Sequence, residues 1–328
     1  MSRTHYPEVA VLLATYNGSR FVTDQIRSFA LNSVPFCLHW SDDHSRDETR
    51  DVVRSAACQA GVRLQEWHQP EHQGVPAAFF KLLECVDADL YLFADQDDIW
   101  QAGKIDVTVE NLSQDLDSPA LCFSDPLIFR DSEPERRYSY FAVLGARLEA
   151  ALQESRSFMG LALGHTQGFT RSVRDLFLRH KEIAYAHAFM HDLWMYDVAV
   201  AAGTVRFLRE APTTLYRFHD RSVSSTMDTW RGNGMGYMSV GWRQHQKYRL
   251  GLARHARGFI LAAPTLPQGP RLDRLLSVAR VVASLDHRQS ISAMIGVARR
   301  RVLWPSRRMA VGLATSCLWT DASRMECE

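Results

Sequence analysis

Three carboxylates, Asp95, Asp97 and Asp98, fall within four positions, between the apolar run Leu90-Tyr91-Leu92-Phe93-Ala94 and the aromatic Trp100. Asp95 and Asp97 are close enough along the chain to share one cation, and a divalent ion between them would relieve their repulsion. An oxygen cluster suits Mg²⁺ or Mn²⁺ better than zinc. Taken alone, the stretch reads equally well as a solvated acidic turn, with Asp98 capping the entry to the next helix. Asp42 and Asp43 follow the apolar run Phe36–Trp40, and Asp192 stands in His191-Asp192-Leu193-Trp194, at the predicted start of a helix. A carboxylate there has its anion stabilised and can take a proton, or can serve simply as the N-cap.

These groups need elements to bring them together. Val9–Thr15 is an unbroken apolar run that stops at the turn signal Tyr16-Asn17-Gly18, and apolar residues then recur at helical spacing through Phe29. The same order repeats with a strand at Phe36–Trp40, a helix from Asp47 to Ala60 closed by Gly61, a strand at Val62–Trp67 and a helix from about Ala77 to Val86. Three strand–helix units and a fourth strand precede the acids, which argues for a doubly wound, mostly parallel α/β sheet. In such a sheet the loops at Tyr16-Asn17, Asp42-Asp43 and Asp95–Asp98 share one rim, where ligands bind. Leu121–Asp125 reads as a further strand, residues 131–157 as an irregular surface excursion, and Thr213–His219 as a strand.

The composition, 46% hydrophobic and 23% charged, is that of a soluble globular chain. Residues 1–229 hold 22 Lys and Arg against 32 Asp and Glu, whereas residues 230–328 hold 16 against 5. Two halves of opposite sign suggest different tasks. Arg299-Arg300-Arg301 and Arg307-Arg308 flank Trp304, and Met309–Trp319 is too short to span a bilayer. Basic helices carrying Trp suit an anionic membrane surface, a solvated basic helix or a dimer contact being the plainer reading. No nucleic-acid motif accompanies the arginines. The six cysteines form no Cys-x-x-Cys pair, and the polar N-terminus has no signal segment, so a cytoplasmic location, peripheral on the inner membrane face, is expected.

Together, Ala14-Thr15-Tyr16-Asn17-Gly18, Ser41–Thr49, Phe93–Trp100, His191–Trp194 and Tyr216–His219 resemble the family 2 glycosyltransferases of the GT-A fold, rhamnosyltransferase-like members of bacterial surface-polysaccharide assembly in particular. The resemblance covers residues 8 to about 225. It implies a Rossmann-like GT-A domain over residues 1–228, with a nucleotide-sugar half at 8–125, an acceptor half at 126–228 and a basic helical extension at 229–328. Carried over, it makes Ala14, Tyr16, Asn17, Asp42, Asp95, Arg217 and Arg221 nucleotide-sugar contacts, Asp95, Asp97 and His219 metal ligands for Mg²⁺ or Mn²⁺, and Asp192 the general base. A loop histidine with only a structural role is the plainer reading of His219. The implied reaction is inverting transfer from a nucleotide-diphospho-sugar, with dTDP-L-rhamnose suggested, to a glycan or polyprenyl-linked glycan. Its rivals are the same fold using another sugar, a silent nucleotide-sugar or glycan-binding subunit, and a nucleotidyltransferase. Ala14, His44 and Ala78 depart from the family's usual Pro, Gly and Asn; His44 puts its loop in question, because Gly takes positive φ at little cost and His does not.

Overall fold

A computed structural model of the chain describes residues 6–144, 162–210, 214–219 and 236–286. Its centre is β1 (Val9–Thr15), which pairs in parallel with β2 (Cys37–Asp42) on one side and β4 (Leu90–Ala94) on the other. β3 (Leu64–Trp67) extends the sheet beyond β2. On the far side of β4 come β9 (Gly168–Thr170), β6 (Ala120–Ser124) and β10 (Thr204–Leu208), giving the order β10-β6-β9-β4-β1-β2-β3. Only β9 runs antiparallel to its neighbours. The expected doubly wound, mostly parallel sheet is therefore present.

The unbroken apolar run of β1 follows from burial on both faces. Its residues alternate between two cores. Val9, Val11 and Leu13 pack with Val22, Ile26 and Phe29 of α1 (Val22–Phe29), Val53 of α2 (Thr49–Ala60) and Ile105 of α4 (Lys104–Leu112). Ala10 and Leu12 face the opposite core, which holds Phe79 and Leu83 of α3 (Val75–Cys85). That core also takes Phe177 of α6 (Arg171–Leu178), Ala184 of α7 (Lys181–His187) and Trp194 of α8 (His191–Ala202). It continues into Leu252, Ala256 and Phe259 of α9 (Gly236–Ala262) and Leu272 and Leu275 of α10 (Pro270–Ala283), so the helical extension rests on the sheet's own core. His255 of α9 and Asp197 of α8 meet at 3.1 Å with no exposure of either side chain.

A second sheet has the order β5-β11-β7-β8, formed by Ile99–Trp100, Thr214–Arg217, Leu127–Arg130 and Glu133–Ser139. The polar stretch at 131–157, expected to be irregular, thus begins with an edge strand, followed by the short α5 (Tyr140–Leu144). Residues 133–138 are all exposed, so neither face needed an apolar period. The acids at 95–98 form the crossover from β4 in the large sheet to β5 in the small one. Because β11 pairs with β5, Arg217 and His219 are delivered to that crossover from more than 110 residues away.

One tight approach fixes how α8 hands over to β10. A Cβ at Gly203 would lie 1.8 Å from the backbone oxygen of Pro119. Neither side can yield cheaply, since Gly203 N–H also bonds Ala199 O and Thr204 N–H bonds Pro119 O. Gly203→Ala is expected to cost about 2 kcal/mol, read as a lower urea midpoint with an unchanged slope; an unaltered midpoint would contradict the packing.

Candidate active site

Three loops meet at the carboxyl ends of β1, β2 and β4, as the rim argument anticipates. The loop after β1 is held amide by amide. Tyr16 N–H donates to Gln96 Oε1 (2.9 Å), Asn17 N–H to Ser45 Oγ (2.8 Å), Gly18 N–H to Thr49 Oγ1 (2.8 Å) and Ser19 N–H to Asp47 Oδ2 (3.2 Å). A phosphate-cradling loop needs free amides, so this one is not built like the phosphate loop of a nucleotidyltransferase. Asn17 takes a left-handed φ of 48°, and its side-chain oxygen accepts Arg46 N–H at 2.8 Å, which makes it a clasp between loops.

Asp42 is the last residue of β2 rather than a loop residue. Its carboxylate accepts from Thr15 Oγ1 (3.1 Å), Ser45 N–H (2.9 Å) and Arg50 Nε (2.7 Å). Burial pushes its pKa up, but the hydrogen bonds from Ser45, Arg50 and Thr15 outweigh that and hold it below the usual range. The ring of Tyr16 is 42% exposed and lies 4.6 Å from the ring of His72, which Asp43 holds at 2.9 Å. Asp43 also accepts Gln73 and Gly74 N–H, tying down the turn before α3. His44 keeps a φ of 64° despite not being glycine, with its Nε2 at 3.0 Å from Gln69 O. The loop therefore retains the shape that a glycine would give it.

In the acidic crossover, His219 Nε2 lies 2.8 Å from Asp97 Oδ2 while Phe21 stacks on the His219 ring at 4.7 Å. Asp98 is fully buried; its Oδ1 accepts Arg217 N–H at 3.0 Å, and its Oδ2 lies 3.1 Å from His165 Nδ1. It therefore caps β11 from a distance and not its own turn. Ligand atoms of Asp95, Asp98 and His165 lie within 4.8 Å of one another. Burial, then Asp97 and Asp192, push Asp95 up to about 8, and burial, then Asp97 and Asp95, push Asp98 well above the carboxylate range. A cluster of acids that resists ionisation, lined by oxygens and one imidazole, fits a divalent cation of the Mg²⁺ or Mn²⁺ type. Nothing in the local sequence pointed to His165, which arrives through the short 3₁₀ turn at Gly164–Thr166 just before β9.

Lys104 closes the back of the cluster. Its buried ammonium lies 4.1 Å over the Trp100 ring, and donates to the His165 carbonyl and, at 3.0 Å, to Thr214 Oγ1. Burial pulls its pKa down to about 7 against the pull of Asp98. Arg217, expected at the donor, is buried, and its guanidinium bonds Asp24, Asp131 and the Asp97 carbonyl. It braces the acid loop. Arg221 and the arginines from 299 onward lie outside the described residues.

Asp192 lies in the first turn of α8, with Met190 at the cap position. Its Oδ2 accepts Gly164 N–H at 2.8 Å and its Oδ1 accepts Leu193 N–H at 2.7 Å. Burial raises its pKa to about 6, the bonds from Leu193 and Gly164 opposing the rise. Asp192 is near enough to Asp95 to raise its pKa.

Residues 10–153 match the family described as glycosyl transferase family 2. The chain carries a family 2 glycosyltransferase domain. It is similar to the dTDP-rhamnosyl transferase RfbG of Shigella flexneri, 23% identical over 249 residues, covering 72% of this chain and 81% of the relative. Among solved structures, S. aureus TarS 1–349 in complex with UDP-GlcNAc superposes with a TM-score of 0.51 at 13% identity, covering 95% of this chain and 90% of TarS 1–349. The Pyrobaculum calidifontis mannosyltransferase PcManGT, in complex with GDP-Man and Mn²⁺, gives 0.54 at 15% identity, covering 96% and 88%. At those identities the structures establish the GT-A fold of the glycosyltransferase domain and nothing finer. Among the described residues no helix is long and apolar enough to cross a membrane.

Proposed function

We propose that the chain transfers a sugar, with inversion, from a nucleotide-diphospho-sugar to a hydroxyl of a glycan or lipid-linked glycan in surface-polysaccharide synthesis, and that the donor is dTDP-L-rhamnose. The observation that carries the reaction type is the nearness of two unlike acidic groups: the Asp95–Asp98 cluster at the end of β4, and the half-buried Asp192 at the start of α8, which raises the Asp95 pKa. The donor sugar is supported by the name of the Shigella relative and by the rhamnosyltransferase-like motifs.

Tyr16 offers its exposed face to the base, and Asp42, anchored by Ser45 and Arg50, accepts from the base's imide N–H. Asp95, Asp97 and His219 hold the divalent ion, with Asp98 and His165 behind them. When bound, that ion neutralises charge on the departing diphosphate. The acceptor oxygen attacks the anomeric carbon on the face away from the diphosphate, the carbon–oxygen bond to phosphate breaks, and Asp192 takes the hydroxyl proton. Arg217 keeps the Asp97 carbonyl and the β5–β11 pair in register rather than touching donor.

Donor hydrolysis by the purified chain with Mn²⁺, across dTDP-L-rhamnose, UDP-glucose, UDP-galactose, UDP-N-acetylglucosamine and GDP-mannose, tests this. Turnover is expected to be fastest with dTDP-L-rhamnose. Preference for another member transfers the reading to that sugar, and donor binding without turnover on any acceptor would favour a silent binding subunit.

A further inference from the structure

We propose that Gln96 is a positioning residue that latches the nucleoside-binding loop to the metal-binding loop, and that Gly18 is glycine in order to leave room for it. The inference rests on the reading above, in which Tyr16 meets the base and Asp95 and Asp97 meet the metal diphosphate.

The β1–β4 ladder ends at the pair Leu13 and Ala94, where both strands reach the rim. Past that point the two loops have no paired backbone. Gln96 replaces it: its Oε1 accepts Tyr16 N–H at 2.9 Å and its Nε2 donates to Tyr16 O at 3.2 Å. One primary amide thus satisfies both backbone groups of Tyr16, as a neighbouring strand would. Of the four successive amides at Tyr16, Asn17, Gly18 and Ser19, three are held by Ser45 and Asp47 of the loop after β2 and by Thr49 at the start of α2. Only the first is held from the acid loop. Gln96 is therefore the group through which the position of the Tyr16 backbone follows that of Asp95 and Asp97.

Gly18 supplies an independent observation. Its φ is not left-handed, so backbone conformation does not demand glycine. A Cβ there would instead lie 2.2 Å from Gln96 Oε1 and 2.6 Å from Gln96 Cδ, and the nearest atoms it would meet all belong to Gln96. A methyl group at position 18 can be accommodated only if the amide swings away, and both bonds to Tyr16 then break.

The test is calorimetry on the full chain with Mn²⁺, using dTDP and UDP as nucleotide probes and inorganic pyrophosphate as a probe of the metal end alone. Gln96→Ala is expected to weaken binding of whichever nucleotide the native chain takes by about tenfold, the worth of two modest hydrogen bonds. Pyrophosphate affinity should stay within about twofold, because the acids are untouched. Gly18→Ala should show the same selective loss, and should add nothing in a Gln96→Ala background, where its clash no longer exists. If Gln96→Ala fails to fold, Gly18→Ala against pyrophosphate decides alone. Unchanged nucleotide affinity in a folded single variant, equal loss for pyrophosphate, or losses that multiply in the double variant would overturn the latch. Native protein that binds neither dTDP nor UDP would instead overturn the nucleotide-site reading, and the latch with it.

Discussion

Replacing Asp192 by Asn is expected to lower kcat by about 10³-fold, the usual worth of a general base, while dTDP affinity stays within about twofold. Asn keeps the shape and still accepts Gly164 N–H, so the fold has no reason to suffer. The sign of the pH effect follows from the raised pKa. Burial lifts the Asp192 carboxyl to about 6, so below pH 6 the group already carries the proton it should accept. In the native enzyme at saturating Mn²⁺, where the ion displaces the Asp95 proton, log(kcat/KM) should therefore fall by about one per unit below pH 6 and level off above it. For stability the same shift has the opposite sense: the contribution is full below the ordinary carboxylate pKa of 3.8 and is lost as pH rises through about 6. Asp192→Asn should thus be at least as stable as native at pH 7 and should lose the acid limb. An intact limb in this variant, or full activity, would remove Asp192 from the chemistry.

Much of that site could be read from the chain alone, for a physical reason. A strand buried on both faces must be an apolar run, and an acid that interrupts it must lie at the rim. Val9–Thr15 and Leu90–Ala94 therefore announced both the parallel sheet and where Tyr16 and Asp95 would stand. The place of Asp192 was legible because the first turn of a helix is one of few places that favour an isolated carboxylate. What escaped depends on pairing at long range. His165 and Lys104 reach the acids only because β9 slots between β4 and β6 and because Lys104 bridges to Thr214 on β11, and neither pairing leaves a local pattern. The partners of Arg217 escaped for a related reason. An arginine beside an acidic motif suggests a phosphate contact, yet Asp24 of α1 and Asp131 just after β7 bond its guanidinium. His44 shows that a side chain can hold a left-handed backbone when a partner such as Gln69 O compensates it. The strand at 133–139 was missed because polarity on both sides of an edge strand looks like a loop.

The acid cluster carries an opposite relation between stability and activity. Asp95→Asn is expected to raise the melting temperature of the metal-free protein at pH 8 while lowering sugar transfer by about 10³-fold. Burial, then Asp97 and Asp192, lift the Asp95 carboxyl to about 8, so the folded state holds that proton far more tightly than the unfolded chain does. Its contribution is complete below the ordinary value of 3.8 and drains away as pH rises through about 8. Asparagine imitates the protonated form and removes the loss, so the advantage of the variant should shrink as pH is lowered toward 4. A divalent ion reverses the balance for the native protein alone, by replacing the proton with a charge that the carboxylates favour. Mn²⁺ should therefore raise the native melting temperature more at pH 8 than at pH 6, where protons compete, and should barely move Asp95→Asn. A variant less stable than native at pH 8 without metal, or one that keeps the full Mn²⁺ shift, would show that Asp95 is paired by the fold itself. In that case the crossover between β4 and β5 would be an ordinary acidic turn, and the ion would have to be held by other residues.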